Sequence, residues 1–527
     1  MECFGWCQGG SHEEDNLKEQ QSSVYFGNST RYLVLGLSML CLSMTMSNSL
    51  TLNFTIICMN PEVKHITDDV NVTNIEIMDY ENRNVEDVGL LQSGEDDRYN
   101  YNNAEKSALF SAIAVGTIMG TLPITHVTSR FGVRRTFFVY GLISAVSTLL
   151  SPFCAWLGFV PLFVMRVLQG VALSTSYPAM GSIIAQWSTL KNSGMYIAFL
   201  SCHLQLGPIF TMPVSGEFCE SRWGWPGVYY LQGTLTLIFF LFFYLFFTDS
   251  PQFHRNVSEK ELGKIQKGKN FVTGDREQKV PWSAMAKDIS VWGIFATNLG
   301  ATMGFQIFMQ YGPIYLNKAL KFDVQSTGFA AALPYVGSAL LKFVVGPLSD
   351  YLPIGGKTRV ILFATTSQFL MAACFVALTF LPPTFPTLIQ ICFTGVTVFS
   401  GLNCVGVAKS TQLMSGQFSH VLMAMSALTS SVVVLLIPPV VSLMVPNNTN
   451  EEWGRIFILI AIAVVITIII FDFTAEVDPR PWTYTEIEAS KKSTMIAEEE
   501  AVSKIFSLDI ASLQTACENK SKVTDAA

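Results

Sequence analysis

One arginine, Arg166, stands inside the apolar run Phe159–Trp187. An ionisable group in such a run costs roughly 2.5–3.5 kcal/mol to insert into a bilayer, so it faces a protein interior or an aqueous route and is a functional candidate. At about 100° per residue, Gly170, Leu173 and Tyr177 fall on its face of a helix. Glycine there lets a neighbouring helix approach, and tyrosine supplies a hydroxyl. That face could offer a guanidinium fork to a carboxylate, sulfate or phosphate. The competing reading is packing alone, with arginine and glycine fixing a helix crossing. His203, midway along another apolar run, could titrate near neutral pH and couple a solute to protons, or could be a hydrogen-bonded core histidine. Lys342 either snorkels to an interface or lines an inner cavity. Asn48, Gln306, Gln310 and Asn403 are neutral cavity candidates and equally candidates for helix–helix hydrogen bonds.

An absence directs the chemistry. No Asp or Glu lies in the middle of an apolar run; Glu105, Glu217, Asp350 and Asp472 sit near the ends. A buried carboxylate relay for protons is therefore missing, and a cationic solute has no counter-charge. What remains is positive, which favours a small organic or inorganic anion as partner. Coupling could run to sodium through carbonyl and hydroxyl oxygens, to protons through His203, or to membrane potential. Cysteines lie scattered, several inside apolar runs (Cys41, Cys154, Cys374, Cys392, Cys404), without CxxC spacing. No metal site, no cofactor and no catalytic triad or acid–base pair is expected, so the chain does not read as an enzyme. No basic patch suits nucleic acid.

These residues need elements to hold them. Of 527 residues 50% are hydrophobic and 14% charged, with mean hydropathy +0.38; a soluble domain carries about 25% charged residues. About 20 apolar residues cross a bilayer as helix. Candidate spans run Tyr32–Ile57, Ser107–Val127, Thr136–Trp156, Phe159–Trp187, Gly194–Gly216 and Trp225–Phe247. Six more run Ile289–Pro313, Gly328–Leu348, Thr358–Leu381, Thr387–Ala408, Phe418–Met444 and Trp453–Phe473. The fold expected is an all-α membrane protein, twelve transmembrane helices in two six-helix halves. The chain divides into an N-terminal tail (1–30), a first half (31–248) with an acidic loop (60–105), a central loop (249–288), a second half (289–474) and a C-terminal tail (475–527).

Basic residues set the orientation. With the N-terminus inside, inner loops and edges hold Arg130, Arg134, Arg135, Lys191, Lys357, Arg359 and Lys409, and the central loop adds a lysine-rich set. Outer loops and edges hold only Arg222, Lys318, Lys321 and Arg455. Both termini are therefore expected in the cytosol, in the plasma membrane or in a vesicle or lysosome membrane. The N-terminal segment lacks an apolar h-region and does not read as a cleaved signal peptide. The acidic loop would lie outside or in a lumen. It carries the sequon Asn71-Val-Thr, and Asn447-Asn-Thr is a second candidate for glycosylation. Asn256-Val-Ser, on the inner side, shows that the pattern also arises by chance. Cys58 and Cys219 both fall near the outer face and could bridge, although spacing does not fix connectivity.

The halves echo each other weakly, as two parallel repeats should. The loop after span two reads Ser129-Arg130-Phe-Gly-Val-Arg134-Arg135, and that after span eight reads Gly346-Pro-Leu-Ser-Asp350-Tyr, then Lys357-Thr-Arg359. These charges either pair with helix ends across a cytosolic gate or simply set topology.

Several further motifs stand in order along residues 31–482: Arg31-Tyr32, Arg166-Val-Leu-Gln-Gly170 with Tyr177-Pro178, Met212-Pro-Val-Ser-Gly216, Gly224-Trp225 and Val228-Tyr-Tyr230. Asp249-Ser-Pro251, Val280-Pro-Trp282, Gly401-Leu-Asn403 and Glu451-Glu-Trp453 follow. The set resembles the major facilitator superfamily and, within it, the anion:cation symporter family that includes sodium-phosphate cotransporters, sialin and vesicular glutamate transporters. The resemblance implies a secondary transporter of a small anion working by alternating access; a transporter-fold solute sensor is the alternative. Departures matter. Where acidic-substrate members carry an arginine late in span one, this chain has Asn48 and Ser49. Leu109, Leu173 and Ala301 stand near the positions of a histidine, a glutamate and an arginine of the glutamate group. Arg166 alone survives, so glutamate transport is not implied.

Overall fold

Several crossings begin where a polar group takes over backbone donors that a helix start leaves unpaired. The computed structural model describes residues 29–59, 99, 101–189, 193–266, 280–351, 353–404, 406–415 and 418–483. Among these every regular element is helical. The first six crossings are α1 (Thr30–Thr55), α2 (Asn103–Ile124), α3 (Arg130–Leu157), α4 (Phe159–Trp187), α5 (Met195–Glu220) and α6 (Gly224–Phe246). The second six are α7 (Ile289–Ile314), α8 (Val324–Tyr351), α9 (Gly356–Phe380), α10 (Pro386–Ser400), α11 (Ser419–Met444) and α12 (Asn450–Thr474).

Ten of these helices are long and apolar enough to cross a membrane by themselves. The other two are α7, diluted by glycine, threonine and glutamine, and α10, which has 15 residues. The expected tenth span ran to Ala408, but the helix stops at Ser400 and continues as a 3-10 turn, Gly401–Cys404, before the helix Val407–Ser415. Periodicity could not show that break, because the composition stays apolar through it. Elsewhere observed and expected bounds differ by a few residues, mostly because caps extend the helices.

Capping boxes open α2 (Asn102 with Glu105) and α12 (Thr449 with Glu452). The start of α1 is capped from a distance: Glu261, fully buried, accepts from the backbone N–H groups of Thr30 (3.3 Å) and Arg31 (3.0 Å). A carboxylate there also meets the positive end of the helix dipole. Helices α2 and α3 run on as one rod broken at Gly132, whose φ of 80° suits glycine. The Asp249 carboxylate closes that break by accepting from the Arg134 N–H at 2.8 Å.

The same pairings recur in each half. Helix α1 packs on α5 and α6, α2 on α4, and α3 on α6; correspondingly α7 packs on α11 and α12, α8 on α10, and α9 on α12. The halves meet along α5 with α8 and α2 with α11, the related pairs of a two-fold arrangement. At the α5–α8 crossing a Cβ on Gly328 would sit 2.7 Å from the Met212 carbonyl oxygen, so only glycine permits the approach.

Each half is strapped at one end by the segment that follows its sixth helix. After α6, Thr30 donates to the Asn256 carbonyl (2.8 Å) and Trp187 to the Thr248 carbonyl (3.2 Å). After α12, Arg480 grips Asp288, the N-cap of α7, through Nε (2.7 Å) and Nη2 (3.0 Å), and the Trp482 indole donates to the same carboxylate at 2.9 Å. Burial alone would raise the Asp288 carboxyl; donation from Arg480, Trp482 and Ser290 outweighs it and holds the group below the usual range. Lys357 pairs with Glu476 (3.1 Å), tying α9 to the same strap. We call this the basic end. The opposite, disulfide end carries a bridge between Cys58 and Cys219 with Cα atoms 6.1 Å apart, joining the ends of α1 and α5.

Candidate functional site

Arg166 is 1% exposed and lies where α1, α2 and α4 meet. Its Nη1 donates to the Ser49 carbonyl (2.8 Å) and Gln169 Oε1 (3.0 Å), Nη2 to Asn53 Oδ1 (3.1 Å), and Nε to the Leu109 carbonyl (3.3 Å). All four acceptors are neutral. A guanidinium has five N–H donors, so four bonds leave little of the fork for a ligand in this conformation. The Gln169 amide passes the network to Thr148 Oγ1 (3.0 Å). Sequence reasoning missed Asn53 and Gln169, although the dense Ser/Thr/Asn pattern from Ser43 to Thr55 was a signal of a polar face on α1. That face also sets Asn48, which donates to Ser144 and Thr236 (2.9 Å each) and so joins α1 to α3 and α6.

Beside this network Met46 and Leu50 of α1 pack with Met309 of α7 and Tyr335 of α8, flanked by Leu173, Leu204, Ile209 and Phe305. This apolar plug draws on both halves. Tyr177 lies four residues past Leu173, about 6 Å further toward the basic end at helical rise. It is 41% exposed, unlike the buried Arg166. Arg166 and Tyr177 lie eleven residues apart and so differ in depth. Helix α4 breaks after Leu173, which flanks the plug and lies between them in the chain.

Lys342 of α8 resolves its two readings. Its Nζ donates to Gln205 Oε1 of α5 at 3.1 Å, so the ammonium reaches across the halves rather than along the membrane surface. His203 lies in the same region, at the break where α5 restarts, and its Nδ1 meets the Leu200 carbonyl at 2.8 Å. On the second half, Asn298 donates to the Ser426 carbonyl (3.1 Å), and Thr302 and Ser430 share a hydrogen bond (3.2 Å) between α7 and α11. Gln306, one turn on from Thr302, is half-buried. Gln310 is 4% exposed with both ends of its amide unpartnered. Asn403 sits in the 3-10 turn after α10 with its Oδ1 likewise unpartnered.

The residues expected at a cytosolic gate lie at the basic end. Arg134 donates to the Tyr244 carbonyl (2.8 Å) within its own half, Arg130 rests against Phe131, and Arg359 donates to the Ile354 carbonyl (3.2 Å). Arg135 is exposed. Ser129 and Asp350 lie on helices, but their side chains fall outside what is described. The disulfide end is sealed by contacts between the halves. Asn103 donates to the Pro446 carbonyl (3.1 Å), Ser111 to the Leu435 carbonyl (3.1 Å) and Gln325 to Glu217 (2.9 Å), and Phe110 meets Tyr311 edge-to-face at 5.1 Å. Asn447 is exposed at this end and donates to Glu452 (3.0 Å). Asn71 lies outside the described residues.

A bundle of two matched halves that meet along α5 with α8 and α2 with α11 is the geometry of a carrier. Comparison with known proteins decides the lineage, because residues 35–422 match the model of the Major Facilitator Superfamily. The chain belongs to the Major Facilitator Superfamily. Sialin of Homo sapiens is 24% identical over 396 residues, covering 73% of this chain and 78% of sialin. Sodium-dependent phosphate transport protein 1 of Homo sapiens is 25% identical over 400 residues, covering 75% and 85%. The solved D-xylose-proton symporter shares the fold with a TM-score of 0.61 at 13% identity, over 85% of this chain and 98% of the symporter. These relatives agree with the anion:cation symporter resemblance read from the motifs. As a member of the superfamily the protein is a multi-pass membrane transporter.

Proposed function

We propose that this Major Facilitator protein carries a small anion by alternating access. The observation that supports the reading best is the placing of its two intramembrane cations. Lys342, from the second half, lies about two turns beyond Tyr335 of the plug toward the basic end, and Arg166, from the first half, is held at Ser49 and Asn53, on either side of Leu50 of the plug. The described hydrogen bonds of Arg166, which is 1% exposed, all go to neutral acceptors. A buried charge without a counter-ion is costly to keep, and an anionic solute is a natural counter-charge for it. Lys342 and Tyr177 would receive the anion from the basic end. When the halves rock and Met46, Leu50, Met309 and Tyr335 part, the anion would pass into the field of Arg166.

Arg166 acts mainly through its charge, because its donors are already engaged. Asn48 holds helices together, while Gln306, Gln310 and Asn403 remain candidates for the uncharged part of a solute. His203 is the residue through which a proton would couple. The sodium named in one relative makes a sodium gradient the first to test. The assay is counterflow of labelled phosphate and small carboxylates into proteoliposomes under imposed sodium, proton and voltage gradients. Saturable uptake that Lys342→Gln reduces at least tenfold is expected. Uptake of cations or neutral solutes in preference to anions refutes the reading. Binding without flux supports a sensor.

A further inference from the structure

The cations of the basic end are unevenly matched between the halves. In the second half Lys357 pairs with Glu476 and Arg480 with Asp288. In the first half Arg130, Arg135, Arg255, Lys260 and Lys264 are exposed, and among the described residues none of them meets a carboxylate. The strap after α6 ties their elements into one surface. Asp249 joins that strap to the start of α3, beside Arg135. Thr30 bonds to Asn256, and Glu261 caps α1, which sets Arg255 and Lys260 next to the point where the chain enters α1. In the strap helix Glu259–Gln266, Glu261 and Ile265 are buried, so Lys260 and Lys264, one turn apart, stand on the open side. Phe253 protrudes from the same strap, 83% exposed. We propose that this surface is a docking site for the chain's own N-terminal segment, residues 1–28.

Charge singles out that segment. It lies outside the described residues, and its sequence holds the carboxylates Glu2, Glu13, Glu14, Asp15 and Glu19 against one lysine, Lys18, and no arginine. The other segments outside the described residues fit less well. Residues 267–279 carry Lys267, Lys269, Arg276 and Lys279 against Asp275 and Glu277, the same sign as the surface. Residues 484–527 mix acids with five lysines and leave from the second half. Reach favours the N-terminal segment too. Asp15 precedes Ser29 by 14 residues, a length that a flexible chain spans as about 20 Å on average, and Thr30 already touches the strap. A single exposed ion pair is weak, but tethering supplies the segment at about millimolar effective concentration, and several pairs then act together. Phe4 and Trp6 offer an apolar partner for Phe253. A docked segment cancels most of the positive field at this end, and its release restores the attraction of anions toward it. The inference rests on this surface and segment alone and stands whatever the solute.

The test uses the full chain in detergent, with a carbodiimide that joins carboxylates to lysine amines in direct contact and mass spectrometry of peptides to locate the links. Links from Glu13, Glu14, Asp15 or Glu19 to Lys260 and Lys264 are expected, well above links from the same carboxylates to Lys287 and Lys357 of the second half. Sodium chloride at about 1 M, where the Debye length is about 3 Å, should remove most of them. Arg130→Gln combined with Arg135→Gln and Arg255→Gln, which leaves both lysines in place, should reduce the links severalfold. Where that variant does not fold, Glu13→Gln combined with Glu14→Gln and Asp15→Asn should reduce the links from Glu19 by a similar factor. An absence of links, or links unmoved by salt and by these changes, overturns the proposal. Links to Lys260 and Lys264 from Glu498, Glu499 or Glu500 in place of the expected ones overturn it in favour of the C-terminal segment. In phosphatidylcholine vesicles the links should persist; their loss on adding phosphatidylserine assigns the surface to lipid headgroups and overturns the proposal as well.

Discussion

Arg166→Met tests whether the guanidinium is scaffold, site or both. The change leaves four acceptors behind. Two are carbonyls in helices, which retain their own helical donors. The Asn53 and Gln169 side-chain oxygens lose a charged donor while buried, at about 1–3 kcal/mol each. Removal of the buried charge recovers part of this. A net loss of about 3 kcal/mol is expected, which for a unit of roughly 200 residues is on the order of 6–12 °C in melting temperature. Arg166→Lys keeps the charge and up to three donors, so about half that loss is expected. Transport should divide the variants differently. If charge is what the solute senses, Arg166→Lys keeps flux with a raised KM, whereas Arg166→Gln and Arg166→Met lose it. Fluorescence-monitored melting in detergent and proteoliposome flux, on the same preparations, read both quantities. An Arg166→Met protein that melts at the original temperature refutes the bond account. An Arg166→Lys protein as inactive as Arg166→Gln refutes the charge account and returns the fork to the solute.

The C-terminal strap should be sensitive to acid. The Asp288 carboxyl is held low in the folded protein, so its contribution is complete above the ordinary carboxylate range and is lost as pH falls through the lowered value. Arg480→Ala should lower the melting temperature at neutral pH by the equivalent of about 1–3 kcal/mol and flatten the fall below about pH 4, as melting curves at stepped pH would record. Gly328→Val should open the disulfide end, because the new side chain cannot fit against the Met212 carbonyl; maleimide labelling of a cysteine placed at Ser111 should rise severalfold. Cys58→Ser should cost about 2–5 kcal/mol by releasing the α1–α5 bridge, and intact protein should bind maleimide at Cys58 and Cys219 only after reduction.

The twelve crossings were legible because uncharged stretches of this length have one good physical explanation. Their bounds shifted where caps acted from a distance: nothing near Thr30 announces that Glu261 will close its helix. Arg166 was legible as a buried charge, but its partners were not, because hydrogen bonds between α1, α2 and α4 depend on helix crossings. The shared face expected for Arg166 and Tyr177 assumes one unbroken helix, whereas the helix breaks after Leu173. Lys342 had two readings in sequence, and only the proximity of α5 to α8 separates them. The bridge between Cys58 and Cys219 likewise needed the three-dimensional fold.

The distribution of strong and weak contacts bears on how such a molecule moves. Within each half stand the disulfide, the buried arginine network and the Arg480–Asp288 clamp. Between halves at the sealed end stand hydrogen bonds such as Asn103 to Pro446 and Gln325 to Glu217, and one ring pair. Exposed bonds of this kind are worth about 0.5–1.5 kcal/mol each, and an edge-to-face pair about as much. Opening that end also parts the apolar cluster in which Ile56, Ile57 and Phe110 of the first half lie with Tyr311, Val441 and Val445 of the second. The central loop follows the same division. Residues from Asp249 to Gln266 are fastened to the first half through Glu261, Asn256 and Asp249. Residues from Val280 to Asp288 pack with Val477, Phe418 and Trp482 of the second. None of these described contacts crosses the seam, so the halves can rock as rigid bodies without breaking them. The Lys342–Gln205 bond crosses it. A motion that parts α5 from α8 must therefore break that bond, so Lys342 and Gln205 mark a contact that reports on the rocking of the halves.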